Sequence, residues 1–151
     1  STLLASSAAS DVYKRQTEVR FDSPLESYTL YTAPLRLQQV IINLLNNALK
    51  FTPEGGSIIL SFEIDETDGY VLFSVTDTGC GIPDDKQELV FNRFVKLNEF
   101  VQGTGLGLSI CKLTIQQMGG DIWIDRNYKN GTRFVFSHPI KKREEENTEI
   151  Q

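Results

Sequence analysis

The stretch from Pro34 to Thr52 admits one regular structure and leaves it with a polar side. Apolar residues fill most of it, a proline stands where the first helical turn tolerates one, and Pro53-Glu54-Gly55-Gly56 stops it. A helix is therefore expected from about Thr32 to Pro34 through to Lys50. Helical neighbours lie three and four residues apart, which puts Asn43, Asn47 and Lys50 on one face while Leu44, Leu45, Ala48 and Leu49 fill the rest. A solvent-facing stripe on an amphipathic helix has the same pattern. Asparagine, however, is a poor helix former that gains nothing on such a surface, yet Asn43, Asn46 and Asn47 fall within five positions. The run therefore points to binding. An asparagine offers an oxygen to a metal and an NH2 to a phosphate oxygen without adding negative charge, and a lysine one turn on reaches phosphate as a point charge.

Bulk properties narrow the ligand. A chain of 151 residues fits one domain with a single core. Its net charge of -5 argues against sequence-blind nucleic-acid binding, which needs a basic surface, so no nucleic-acid partner is expected. A triphosphate is not excluded, because a helix N-terminus and one or two cations hold it locally. No apolar run is long enough to cross a bilayer, and no membrane contact is expected of this chain. Cys80 and Cys111 lie far apart without partner histidines, and are expected to be small apolar fillers in a reduced, cytosolic protein. The lone His138 sits near the end of a strand-like segment and makes no zinc set.

Residues 1–16 are rich in small residues and lack an apolar period, and are expected to be a non-native or disordered leader. Residues 141–151 form a polar tail. In the domain between, 17–140, Val19 to Phe21 and Tyr28 to Leu30 suggest short strands separated by Ser23-Pro24. Ile58 to Ile64 and Tyr70 to Thr76 suggest two more, joined by the turn-rich residues 65–69. Pro83 to Phe91 suggests a short helix and Gly105 to Met118 a longer one. Ile122 to Ile124 and Thr132 to Phe136 flank Asn130-Gly131, a hairpin signal. The expected class is α+β: a two-layer α/β sandwich with helices on one face of a mixed, mainly antiparallel sheet.

Three further segments carry chemistry. Asp77 ends an apolar strand and leads into Thr78-Gly79-Cys80-Gly81-Ile82-Pro83. A carboxylate accepts from the exocyclic amine of adenine, and alternate glycines let backbone pass close to a flat base; a plain strand-to-helix turn reads the same way. Gly103-Thr104-Gly105-Leu106-Gly107-Leu108 feeds an apolar helix, so free N–H groups and a positive dipole end would face an anion. It is neither a dinucleotide fingerprint nor a Walker A loop, since Leu108 takes the place of the last glycine and no Gly-Lys-Ser/Thr ending follows. Phe91-Asn92-Arg93-Phe94-Val95-Lys96 lies between, with aromatics to anchor a loop and Arg93 or Lys96 within reach of phosphates; core phenylalanines and solvated bases would look alike.

In this order the segments resemble the ATP-binding domain of bacterial sensor histidine kinases, within the gyrase, Hsp90, histidine kinase and MutL superfamily, over about Thr17 to Ile140. Gln39 to Thr52 resembles the N box, Asp77 to Pro83 the G1 box, Phe91 to Phe94 the F box and Gly103 to Leu108 the G2 box. The resemblance implies a Bergerat fold, ATP and Mg2+ as cofactors, and transfer of the γ-phosphoryl group to a histidine. It implies that Asn47 is the magnesium ligand, and that Asn43, Asn47 and Lys50 form the catalytic set. Asp77 would take the adenine amine, with Gly79, Gly81, Ile82, Phe91, Phe94 and Thr132 lining the nucleotide. Gly103, Gly105 and Gly107 would hinge a lid from about Asn92 to Thr104 and present N–H groups to the phosphates, with Thr104 beside them and Leu106 and Leu108 packing beneath. Other branches place a glutamate where Asn43 stands, and a carboxamide does not serve as a general base, which favours transfer over hydrolysis.

Two positions depart from the family pattern: Ala33 replaces an aspartate, leaving Thr32 as the helix cap, and Met118 replaces a histidine. The family's target histidine precedes this domain, whereas His138 follows the G2 box. The implied partners are therefore a dimerisation and phosphoacceptor domain of the same parent and a response-regulator receiver domain. The parent would be membrane-anchored with this domain in the cytoplasm. An anti-sigma-factor-type serine kinase and a non-catalytic ATP-sensing module share the boxes and remain as alternatives.

Overall fold

The computed structural model describes residues 17–92 and 107–140. Their elements are β1 (Glu18–Asp22), α1 (Pro34–Phe51), β2 (Ser57–Asp65), β3 (Tyr70–Asp77), α2 (Gly107–Gln117), β4 (Ile122–Ile124) and β5 (Arg133–Pro139). The sheet order is β1-β2-β3-β5-β4, parallel only between β1 and β2. Two parallel strands need a long crossover, and α1 supplies it. Both helices pack on the same face, giving the two-layer sandwich expected. The expected leader (1–16) and tail (141–151) lie outside the described residues.

Alternation places the sheet's apolar side against the helices. Ile58 and Leu60 of β2, Val71 and Val75 of β3, Ile122 and Ile124 of β4, and Phe134 and Phe136 of β5 are all buried. Across the strands Phe73 stacks on Phe136 with centroids 4.8 Å apart. Helix α1 meets this surface with Val40, Ile41, Leu44, Leu45, Ala48 and Leu49; α2 adds Cys111 and Ile115. The same periodicity that buries these residues leaves the asparagine face toward solvent.

Several expectations give way. Tyr28 to Leu30 is not a strand, because no neighbouring strand pairs it; Tyr28 instead sets its ring 6.4 Å from Phe62. Thr32 is not the cap of α1. Ala33 takes that place with no side-chain bond, Pro34 opens the helix, and the Thr32 hydroxyl meets His138 Nε2 at 2.8 Å. Pro83 to Phe91 forms two single 3-10 turns, Asp84–Lys86 and Leu89–Phe91, rather than one helix. Cys111 is a buried filler, but Cys80 is exposed. The expected β4–β5 hairpin does form, with residues 125–132 as its connection.

Candidate functional site

Asp77 ends β3 at 2% exposure, where a carboxylate needs partners. Its Oδ1 accepts from Gly79 N–H at 2.8 Å and from Thr132 N–H at 3.0 Å. Both bonds fall on one oxygen, so Oδ2 is left for another donor. Burial pushes the Asp77 pKa above the ordinary carboxylate range, and the two N–H bonds pull it back only in part. The surrounding backbone is close: a Cβ on Gly131 would sit 2.1 Å from the Asp77 carbonyl oxygen, and one on Gly79 would sit 2.3 Å from the Phe51 carbonyl oxygen. Gly81, at φ +75, adopts the left-handed conformation that glycine allows without strain.

Phe51 ends α1, so the Gly79 contact seats the Asp77 loop directly on the helix turn that carries Lys50. Lys50, Phe51, Thr52, Thr78, Gly79 and Cys80 share one open groove of about 620 Å3. Among the described residues Lys50 has no ion pair and the half-buried Asn47 carboxamide has no hydrogen bond. Asn43 lies beside the thiol of Cys111 on α2, which itself donates to the Val40 carbonyl at 3.9 Å. Burial nevertheless pushes the Cys111 pKa up to about 11, so the thiol stays protonated and unreactive.

The segment after Ile82 supports this corner from below. Ile82 packs against the core, and its carbonyl accepts from the buried Gln87 amide at 3.2 Å. Phe91 is 8% exposed, meets Phe134 edge-on at 6.0 Å, and lies under the Lys112 ammonium at 5.4 Å. It is a core anchor. Gly107 opens α2 and Leu108 packs on the core. Arg93, Phe94, Lys96, Gly103, Thr104, Gly105 and Leu106 lie outside the described residues. An apolar groove of about 320 Å3, between the first half of α1 and strands β2 and β3, contains none of the predicted site residues.

This chain's residues 32–142 match the family of histidine kinase-, DNA gyrase B- and HSP90-like ATPases. The chain belongs to that family. Its relatives include the adaptive-response sensory kinase SasA of Nostoc sp. strain PCC 7120, 42% identical over 82% of this chain and 31% of the relative. The catalytic domain of histidine kinase ThkA has the same fold, with a TM-score of 0.81, 32% identity, and coverage of 92% of this chain and 89% of that one. ThkA in complex with the response regulator protein TrrA matches at a TM-score of 0.79 and 30% identity, over 93% of this chain and 39% of that one. The chain thus spans about a third of its curated relative. It is a histidine kinase ATPase domain.

In this ATPase domain, sequence reasoning reached Asp77, Gly79, Gly81 and Thr132 but missed two residues at the same corner. Gly131 presses bare backbone against Asp77, and the Tyr128 hydroxyl donates to the Asp77 carbonyl at 2.7 Å. Asn130-Gly131 did flag the place, but as a turn. Nothing local in the sequence marks Tyr128.

Proposed function

We propose that the domain binds Mg-ATP and donates the γ-phosphoryl group to a histidine on the dimerisation domain of its parent protein. The observation that carries this is the Asp77 carboxylate, buried, fixed through Oδ1, and seated on the last turn of the helix that bears Asn47 and Lys50. A desolvated carboxylate with one oxygen open suits the exocyclic amine of adenine, whose donated bond compensates its burial. Gly79 and Gly81 let the base approach the backbone, and Thr132 frames it. Lys50 would then lie at the phosphate end, as a cation with no ion pair among the described residues.

The donor set fits magnesium held together with phosphates rather than by protein alone. The uncharged Asn47 carboxamide has no hydrogen bond among the described residues, and these hold no cluster of three or more His, Cys, Asp or Glu side chains that would cage an ion. Asn47 would hold the ion, which when bound neutralises charge on the β- and γ-phosphates. Asn43 takes no proton from water, because a carboxamide is not a base at neutral pH. Transfer to a positioned acceptor is therefore favoured over hydrolysis. Free N–H groups from Gly103, Thr104, Gly105, Leu106, Gly107 and Leu108 would receive phosphate oxygens, as expected of a glycine segment opening a helix. Phe94 and Phe91 would anchor that segment.

The kinase name of the relatives and the response regulator bound to ThkA support a receiver domain as the downstream partner. No helix among the described residues is long and apolar enough to cross a membrane; the proposed reading places this domain on the ATP-containing cytoplasmic side of a membrane-anchored parent. Incubation with γ-labelled ATP and the parent's dimerisation domain tests the reading. Label should pass to that domain as an acid-labile phosphohistidine. Acid-stable phosphoserine would assign the serine-kinase alternative, and nucleotide binding without transfer would leave an ATP-sensing module.

A further inference from the structure

We propose that Tyr128 is a positioning residue for adenine recognition, holding the Asp77 backbone so that the carboxylate keeps its open oxygen toward the base. This rests on the reading of Asp77 as acceptor of the adenine amine and names the group that keeps that acceptor in place.

The warrant is a diverted rung of the sheet. In an antiparallel pair, the N–H and C=O of one residue point to the same neighbouring strand and exchange both bonds with the residue opposite. Asp77 donates its N–H to the Thr132 carbonyl at 2.8 Å, the first half of such an exchange. The return bond goes elsewhere, because Thr132 N–H donates to the Asp77 side chain, Oδ1, at 3.0 Å. That leaves the Asp77 carbonyl without its ladder donor, in a place too buried to leave it unpaired at no cost. The Tyr128 hydroxyl fills the vacancy at 2.7 Å. Gly131 makes this possible: a Cβ there would lie 2.1 Å from the same carbonyl oxygen and close the space.

Tyr128 is delivered by a loop with its own internal bonds. Asp125 Oδ1 accepts from Asn127 N–H at 3.0 Å, the Asp125 carbonyl accepts from Tyr128 N–H at 3.3 Å, and Asp125 N–H donates to the Arg133 carbonyl at 2.9 Å. Burial and the nearby Asp77 charge raise the tyrosine pKa, so the hydroxyl remains a donor throughout the neutral range. Removing only the hydroxyl frees the Asp77 carbonyl to compete for Thr132 N–H. The carboxylate would then be held chiefly by Gly79, and its open oxygen would lose its fixed direction.

The test compares ATP with purine riboside triphosphate, which lacks the 6-amino group, by calorimetry on the intact chain. Wild type should favour ATP. Tyr128→Phe keeps the ring and its packing, and should weaken ATP about fivefold while leaving the analogue unchanged, so that the preference narrows. The Thr132 amide proton resonance should also shift in the nucleotide-free variant. Equal weakening of both nucleotides, an unchanged ATP preference, or an unmoved Thr132 amide would each overturn the role of Tyr128. Asp77→Ala separates the two levels. If it leaves the ATP preference intact, the adenine reading itself fails; if it abolishes the preference while Tyr128→Phe retains it, only the tyrosine proposal fails.

Discussion

The two halves of the site are built on opposite principles. At the Asp77 corner nearly every polar group is already engaged: Oδ1 with Gly79 and Thr132, the amide with the Thr132 carbonyl, and the carbonyl with Tyr128. On the outer face of α1, Asn47 and Lys50 have no partner among the described residues. The difference matches what each half would recognise. Telling one base from another needs an acceptor whose direction is fixed before the ligand arrives, since only then does a missing amine leave a real deficit. Phosphates and a cation bring charge with them and organise flexible groups around it. On the proposed reading, rigidity is concentrated where selection would be made.

The contrast predicts a graded series of failures. The most severe is Gly131→Ala, which forces a methyl group into the Asp77 carbonyl and should cost about 3 kcal/mol of stability in a urea titration. A mutant as stable as the parent would show that the corner yields, and the claim of preorganisation would fall. Next, Asp77→Ala should weaken ATP binding about 30-fold while the domain still folds. Asn47→Ala belongs to the other half: its effect, about tenfold on affinity, should be seen in magnesium and vanish in EDTA. A loss of equal size in EDTA would remove the metal role. Smallest is Lys50→Ala, an exposed cation, expected to weaken ATP about threefold at low ionic strength and less at high salt.

Acid offers a different probe, because the buried Asp77 carboxyl titrates above its ordinary value. In the nucleotide-free domain the folded state holds the proton more tightly than the unfolded chain does. The Asp77 contribution to stability therefore falls as pH rises from the ordinary carboxylate pKa through the raised one, and is restored on acidification. ATP affinity should move the other way, declining as pH drops through the raised pKa, since only the ionised form accepts fully from the amine. Comparing Asp77→Asn with the parent isolates both trends by difference. Trends of the same sign would contradict the assignment.

Much of this was legible in the sequence where short-range periodicity carries the information. Helical spacing alone separated Leu44, Ala48 and the other core residues of α1 from Asn43 and Asn47, and strand alternation found β2 and β3. What escaped depends on contacts with no local trace. Thr32 fits a helix cap by position, but His138, 106 residues away, takes its hydroxyl. Tyr128 bonds a carbonyl 51 residues away. Tyr28 to Leu30 has strand composition without a strand to pair with, so composition yields to topology. Asn130-Gly131 misled differently: its common meaning as a turn concealed a glycine required by its neighbour across the sheet.

The β4–β5 connection also bears on how this domain tolerates changes in length. The β2–β3 connection is exposed over residues 66–68, and a Cβ on its Gly69 would meet nothing within 4 Å. Added residues there would be absorbed by solvent. Residues 125–132 have no such slack, since one extra residue between Tyr128 and Thr132 would move the hydroxyl, the bare glycine and the Thr132 N–H out of phase with Asp77 together. Of the two hairpin connections, one is a spacer, and the other has its length fixed by its contacts with Asp77.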